Sequence, residues 1–410
     1  MTENTVTSEL KKSVLAGVWF MILTFPLAVV RVNTFDHTVE WRWMNMAWVG
    51  GGAFVLSFVW RWALRRREAG GFLVPGAAGG TFEVLSGKPI RMKMVLLAVL
   101  AAMLVIPWVA SIYWTNILIS FLLYVVLGLG LNIIVGVAGL LFLGHAAFYA
   151  IGAYSYALLN QYFGLGFWTA LPLGGLFAAL AGVLLAFPVL RLRGDYLAIV
   201  TLGFGEIIRL VLENWSEVTG GPTGISNIPQ PALLDMTLSV AQANIYIYHI
   251  VLALAVLTVI AVSRLKDSRV GRALQALRED EIACQAMGID RVAVKLMAFG
   301  LGTAWAGLAG VIFAAKTTFI NPASFTFFES AILLAVVVLG GMGSNLGVIL
   351  GAAFLVLLPE FMRTFSEYRM ILFAAAMVLM MVFRPQGLIP PRRRRYPVGD
   401  SGAVAAGGGK

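Results

Sequence analysis

Apolar segments recur along the chain, near residues 13–30, 45–60, 94–110, 116–137, 141–159, 168–188, 196–213, 245–263, 293–314, 329–341, 346–361 and 369–383. Several reach the ~20 residues that a helix needs to cross a bilayer. Lipid offers no water to unpaired backbone amides, so complete crossings are expected to be helical. The expectation is an all-α polytopic membrane protein with roughly ten to twelve transmembrane helices, some of them broken by glycine. A soluble core is excluded by composition, because 60% of the residues are hydrophobic and only 12% are charged. The first run follows Lys11 and Lys12 as a signal peptide would. It has nearly the length of a span and further spans follow, so it reads as a retained helix.

Lys and Arg set the orientation. They cluster in alternate connections: Arg61, Arg65, Arg66, Arg67, Lys88, Arg91 and Lys93, then Arg191 and Arg193. A third group is Arg264, Lys266, Arg269, Arg272, Arg278, Arg291 and Lys295, and the last is Arg384 with Arg392 to Arg395. The side that holds most of the 30 basic residues is predicted to be cytoplasmic, in a bacterial inner membrane, with both termini on it. The loop 214–244 has no Lys or Arg and falls outside. The net charge of +10 then reflects retained cytoplasmic loops and contact with anionic lipid, not nucleic acid. This divides the chain into an appendage of two helices and a basic linker (1–92), a core (93–389) with a cytoplasmic segment at 264–292, and a flexible basic tail (390–410).

Little in the chain suggests catalysis. "SGKPI" at 86–90 lacks the first glycine and the Ser or Thr of a phosphate-binding loop. Neither a zinc-peptidase motif nor a nucleophile elbow is present. Three histidines and the single Cys284 argue against a transition-metal site or a disulfide framework. The expectation is a chain that is not an enzyme and holds no cofactor or metal.

Ionisable residues inside a membrane are costly and mark candidate functional positions. In "TLGFGEIIRL", Glu206 and Arg209 are three apart, share a helix face and can pair. They could line a pathway or tie helices together. His145 could gate the path or carry protons, or simply bond a neighbouring helix. Glu329 and Glu360 fall near span ends, where they would reach water. Glycine concentrates in "GLGLNIIVGVAGLLFLGHAAF", with Gly139 and Gly144, and in "LGGMGSNLGVILGAAF", with Gly340 and Gly341. Paired glycine breaks in two halves suit either close helix packing or a substrate path. The outer "TGGPTGISNIP" holds Thr219, Gly220, Gly221 and Gly224, a turn-rich sequence that could dock a partner or cover an exit.

The densest charge lies in "GRALQALREDEIACQAMGID", residues 271–290. Ser268 can cap a helix running to about Arg278, with Leu274 and Leu277 on one side. Asp280 can cap a second helix, and Gly288 can end it. Ala273, Ala276, Ala283 and Ala286 keep both slim. Small apolar residues framed by Arg272, Arg278, Glu279 and Glu281 suit a protein groove. Apolar spans a few residues away hold the pair at the bilayer, which rules against a DNA-reading helix-turn-helix.

This stretch and its continuation, "RVAVKLMAFGLGTAWAGLAG", closely resemble branched-chain amino acid ABC importer permeases of the LivM type. The likeness extends through "LNIIVGVAGLLFLGHAAFYAIGAYSYALL", "GDYLAIVTLGFGEIIRLVLENWSEVTGGPTGISNIP", "VVLGGMGSNLGVILGAAF" and "FRPQGLI", over roughly residues 116–389. The N-terminal appendage resembles an extension found in one subgroup. The resemblance implies a permease subunit that pairs with a second, similar permease, two cytoplasmic ATPases that bind ATP and Mg, and a periplasmic substrate-binding protein. It further implies that Gly271, Ala276 and their neighbours through Gly288 couple ATPase motion to the spans. Alternatives are an ion-coupled secondary transporter using Glu206, Arg209 and His145, a permease for another small solute such as urea, or a membrane scaffold.

Overall fold

The computed structural model describes residues 30–33, 38–41, 89–190, 192, 194–231, 239–361, 374, 377–378 and 386–389. The expected spans at 13–30, 45–60 and 369–383, most of the basic linker and the tail lie almost wholly outside these. Two compact units divide between Val95 and Leu96.

The first unit holds an element that the apolar pattern does not foretell. Strands β1 (Val30–Asn33) and β2 (Thr38–Trp41) pair antiparallel, with Val30 opposite Trp41 and Val32 opposite Val39. β-branched and aromatic residues suit such a ladder.

Every other described element of regular structure is helical. α1 is Pro89–Val109, α2 Ile112–Asn132, α3 His145–Phe163, α4 Phe167–Val189 and α5 Asp195–Asn214. The short α6, Ser216–Thr219, leads to α7, Val240–Asp267. Then come α8 (Arg269–Glu279), α9 (Glu281–Ala286), α10 (Arg291–Thr317), α11 (Phe327–Gly340) and α12 (Asn345–Phe361). Five stretches among the described residues are long and apolar enough to cross a membrane: 112–137, 167–189, 241–267, 291–317 and 322–340.

α10 is the hub, and glycine is what lets it be one. Lipid gives helices no hydrophobic reason to associate, so their contacts depend on close packing. A methyl group at Gly152 of α3 would lie 2.6 Å from the Gly307 Cα of α10. One at Gly307 would lie 2.5 Å from the Ala178 Cβ of α4. One at Gly130 of α2 would lie 2.8 Å from the Gly302 carbonyl oxygen. The three neighbours thus approach α10 backbone to backbone.

Two expected spans differ at their ends. α2 passes into one π-helical turn, Ile133–Val137. The expected span 141–159 starts late, because residues 138–144 are not helical and α3 begins at His145. That stretch and the first turn of α3 are held by distant side chains: the Leu143 amide donates to Thr201 Oγ1 at 3.1 Å, and the Ala146 amide to Ser330 Oγ at 2.9 Å. At the other glycine break, α11 ends at Gly341, whose φ is +115°. Residues 388 and 389 pair with it there, Leu388 N to Leu339 O at 2.9 Å and Ile389 N to Gly340 O at 3.1 Å.

Candidate functional site

α8 and α9 follow the reading of their sequence closely. Ser268 accepts the Gly271 amide at 3.1 Å and starts α8. Gly271 is where the chain folds back on α7, since a Cβ there would lie 2.7 Å from the Lys266 Cα. Leu274 and Leu277 are buried. Asp280 accepts the amides of Ile282 at 2.7 Å and Ala283 at 3.0 Å, starting α9. Gly288, at φ +79°, lies just past its end. Arg272, Gln275, Glu279, Ala283 and Ala286 are exposed, with Ala276 half-buried. The face that projects furthest was not among the expected residues: Ile282 is 68% exposed and Met287 82%.

Inside α9, Cys284 is buried, and burial pushes its thiol pKa up, with Asp280 and Glu281 adding to the rise. Glu281 turns inward. It accepts from Lys295 Nζ at 2.6 Å, and Lys295 also donates to the Leu190 carbonyl at 3.1 Å. Lys295 is 3% exposed, so α9 is fixed to α10 and to the end of α4 through a buried ion pair.

Arg278 is exposed, but its guanidinium reaches back into the subunit. It donates to the Gly136 carbonyl of the π-helical turn. Its stem lies over Gly139, where an added Cβ would be 2.6 Å from Arg278 Cγ. Lys266, at the end of α7, reaches the other glycine break, donating to the Gly343 carbonyl at 2.6 Å and to Asn345 Oδ1. The two breaks touch: Gly343 N donates to Asn132 Oδ1 at 2.8 Å. Gly340 packs against Gly347, and a Cβ on Gly341 would lie 2.5 Å from the Ile389 carbonyl. Gly139, Gly340 and Gly341 therefore sit at the end of the bundle that carries α8.

Gly144, His145 and Glu206 form a separate group deeper in the bundle. Thr201 and Gly205 of α5 pack against Gly144, where a side chain would meet the Thr201 backbone. A narrow cleft beside them is lined by Leu143, Ala146, Gly205, Glu206, Thr326 and Ser330. Glu206 and Arg209 do pair, at 2.9 Å, and Arg209 also holds Glu213 at 2.6 Å. His145 is fully buried, its ring edge-on to Phe142 at 5.9 Å. Glu329 lies in the first turn of α11, half-buried, and accepts a 2.5 Å hydrogen bond from Tyr124, midway along α2. Glu360 is bonded by the Tyr113 hydroxyl.

At the far end of α5, Thr219 Oγ1 donates to the Leu212 and Trp215 carbonyls at 2.6 and 2.8 Å. Gly220, Gly221 and Gly224 all have positive φ (73°, 56° and 72°), which forces the turn. The following Ile225 bridges Ile320, tying this loop to the α10–α11 connection. A cavity of about 490 Å³ opens here, lined in part by Asn160, Gln161, Glu217, Gly220, Gly224 and Asn227.

Comparison with known proteins matches the geometry. Residues 113–381 match the family described as branched-chain amino acid transport system / permease component. The chain is 45% identical to the high-affinity branched-chain amino acid transport system permease protein LivM of Salmonella typhimurium, over 93% of this chain and 92% of that protein. It is 45% identical to the LivM protein of Escherichia coli, over 89% of each. It is 23% identical to the permease protein LivH of Salmonella typhimurium, over 65% of this chain and 91% of LivH. No solved structure matches. The glycine-packed helices, the capped pair α8–α9 and these matches lead to one conclusion: the chain belongs to the family of branched-chain amino acid transport system permease components.

Proposed function

We propose that this chain is one of two membrane subunits of an ATP-driven importer that brings branched-chain amino acids from the periplasm to the cytoplasm. Its partner is a second permease of the LivH kind. Two ATPase subunits bind ATP and Mg and receive α8 and α9 on the cytoplasmic side. A periplasmic binding protein delivers substrate at the loop around Thr219–Gly224. The carrying observation is the exposed apolar pair Ile282 and Met287 on a short helix that is capped at Asp280 and anchored from behind by Lys295. A helix so held transmits a push instead of yielding to it. The cleft by Gly144 and Glu206, where two non-helical stretches meet α5, is the candidate wall of the translocation path.

The test is reconstitution in proteoliposomes. With sister permease, ATPases and binding protein present, leucine uptake should require ATP hydrolysis, and this chain alone should transport nothing. Uptake by the purified chain under a proton or sodium gradient, without ATP, would establish an ion-coupled carrier instead.

A further inference from the structure

We propose that the π-helical turn Ile133–Val137 is the hinge through which displacement of α8 enters the membrane domain, and that Arg278 is the strut that works it. The inference rests on the reading that α8 and α9 meet an ATPase. It gives the guanidinium of the exposed Arg278 a partner within the subunit, the Gly136 carbonyl, in place of a role only on the ATPase surface.

Three observations converge. First, α2 is an unbroken helix up to Asn132 and then widens for a single turn. Such turns are rare and gather at functional sites, and they differ from an α turn only in which carbonyl each amide uses. Switching between the two re-aims everything that follows. Second, the turn carries an unsatisfied group. Asn132 is fully buried, its Oδ1 is taken by Gly343 N, and its Nδ2 has no partner. A buried donor without an acceptor needs an explanation. A second arrangement of the turn, in which a released carbonyl meets that amide, supplies one. Third, the links from the α8 end are unequal. α9 holds the continuous helix α10 through Glu281 and Lys295. α8 holds the turn, through Arg278 on the Gly136 carbonyl. Lys266 grips the Gly343 carbonyl, and Gly343 is bonded to Asn132. A push on the pair therefore reaches one stiff helix and one with a soft turn, and the difference is taken up at residues 133–137. Gly136 and Gly139 have no side chain that would block this: a Cβ at Gly136 would meet the Gly343 amide, and one at Gly139 the Arg278 stem.

The experiment uses the assembled importer and the substitution R278M, which keeps the stem over Gly139 but removes the donor. Hydrogen exchange is followed in peptides covering 268–288 and 132–141, without nucleotide and with ATP plus vanadate. In the parent importer both regions should respond to nucleotide. In R278M the 268–288 response should persist, the 132–141 response should vanish, and leucine moved per ATP should fall about tenfold, as expected for losing one charge-assisted hydrogen bond. R278K, which restores a donor, should recover part of both. An R278M importer with the parent's 132–141 response and the parent's uptake per ATP overturns the hinge. So does a parent importer in which 268–288 responds and 132–141 does not, which leaves ATPase docking intact. If 268–288 fails to respond in the parent, the docking reading falls and the hinge with it. Should R278M not assemble, R278L, which also lacks a donor, carries the same comparison.

Discussion

Adding one methyl group to α3 should separate helices that now touch backbone to backbone. At Gly152 an alanine Cβ would lie 2.6 Å from Gly307 Cα and 2.7 Å from the Gly307 carbonyl carbon. Comfortable carbon contacts need about 3.5–4.0 Å, so α3 and α10 must part by roughly 1 Å. A gap of that size forfeits about a quarter to a half of each dispersion contact along the seam. Summed over tens of atom pairs at ~0.1–0.2 kcal/mol each, the loss is about 1–3 kcal/mol, the usual cost of overpacking. Alanine also gains up to ~1 kcal/mol over glycine by helix propensity. Gly203→Ala in α5 isolates that gain, because a Cβ at Gly203 meets nothing within 4 Å. The difference between the two variants then reports the overlap alone. Thermal melting of the purified subunit in detergent, at one fixed scan rate, should place Gly152→Ala several degrees below Gly203→Ala. Equal midpoints, or the reverse order, would refute the claim that glycine seams hold the bundle together.

Ile282→Asp and Met287→Asp should leave the melting of the isolated subunit unchanged but reduce co-purification of the ATPase subunits, read by quantitative pull-down. Glu281→Ala strips the partner from a Lys295 that is 3% exposed and should destabilise the subunit by about 3 kcal/mol, seen as a lower melting midpoint. Asp280→Ala removes the two-amide cap of α9 at a cost of ~1 kcal/mol and should raise hydrogen exchange in 281–288 first. Cys284 is the chain's one thiol, and burial raises its pKa, so at neutral pH less of it is thiolate than in a free cysteine. Maleimide labelling should be slow at pH 7 and keep rising at pH values where a free thiol has levelled off; a rate that matches free cysteine across that range would contradict its burial.

The pair α8–α9 was legible because its signals are local. Ser268, Asp280 and Gly288 act within three residues of themselves, and the structure places a cap or a stop at each. Residues 138–144 were not legible, because "GLLFLGH" reads as an unbroken apolar run. What shapes it is tertiary: the Leu143 amide is satisfied by Thr201, and the Ala146 amide in the first turn of α3 by Ser330, 58 and 184 residues further along the chain. The same holds for the cations. Lys266, Arg278 and Lys295 count equally toward orientation, but each donates to a carbonyl that the sequence does not associate with it, Arg278 while remaining exposed. The charges of the pair were expected to frame a surface of small residues for a partner groove. The exposed Arg278 also donates to the Gly136 carbonyl of the membrane domain, and the most exposed large apolar residues of the pair are Ile282 and Met287.

The glycine breaks show how one motif type can serve two purposes. At Gly340, Gly341 and Gly139 the missing side chains admit neighbouring backbone or the stem of Arg278, which locks the α8 end. At Gly144 the missing side chain admits the Thr201 backbone and brings α5, with its charged triad, against the start of α3. Arg209 is fully engaged there by Glu206 and Glu213, so the triad carries a net negative charge on a half-exposed helix face. Lipid tolerates such a face poorly, so it requires water or a second protein beside it. The exposed side of α5 is therefore suited to border water or a second protein and not lipid tails.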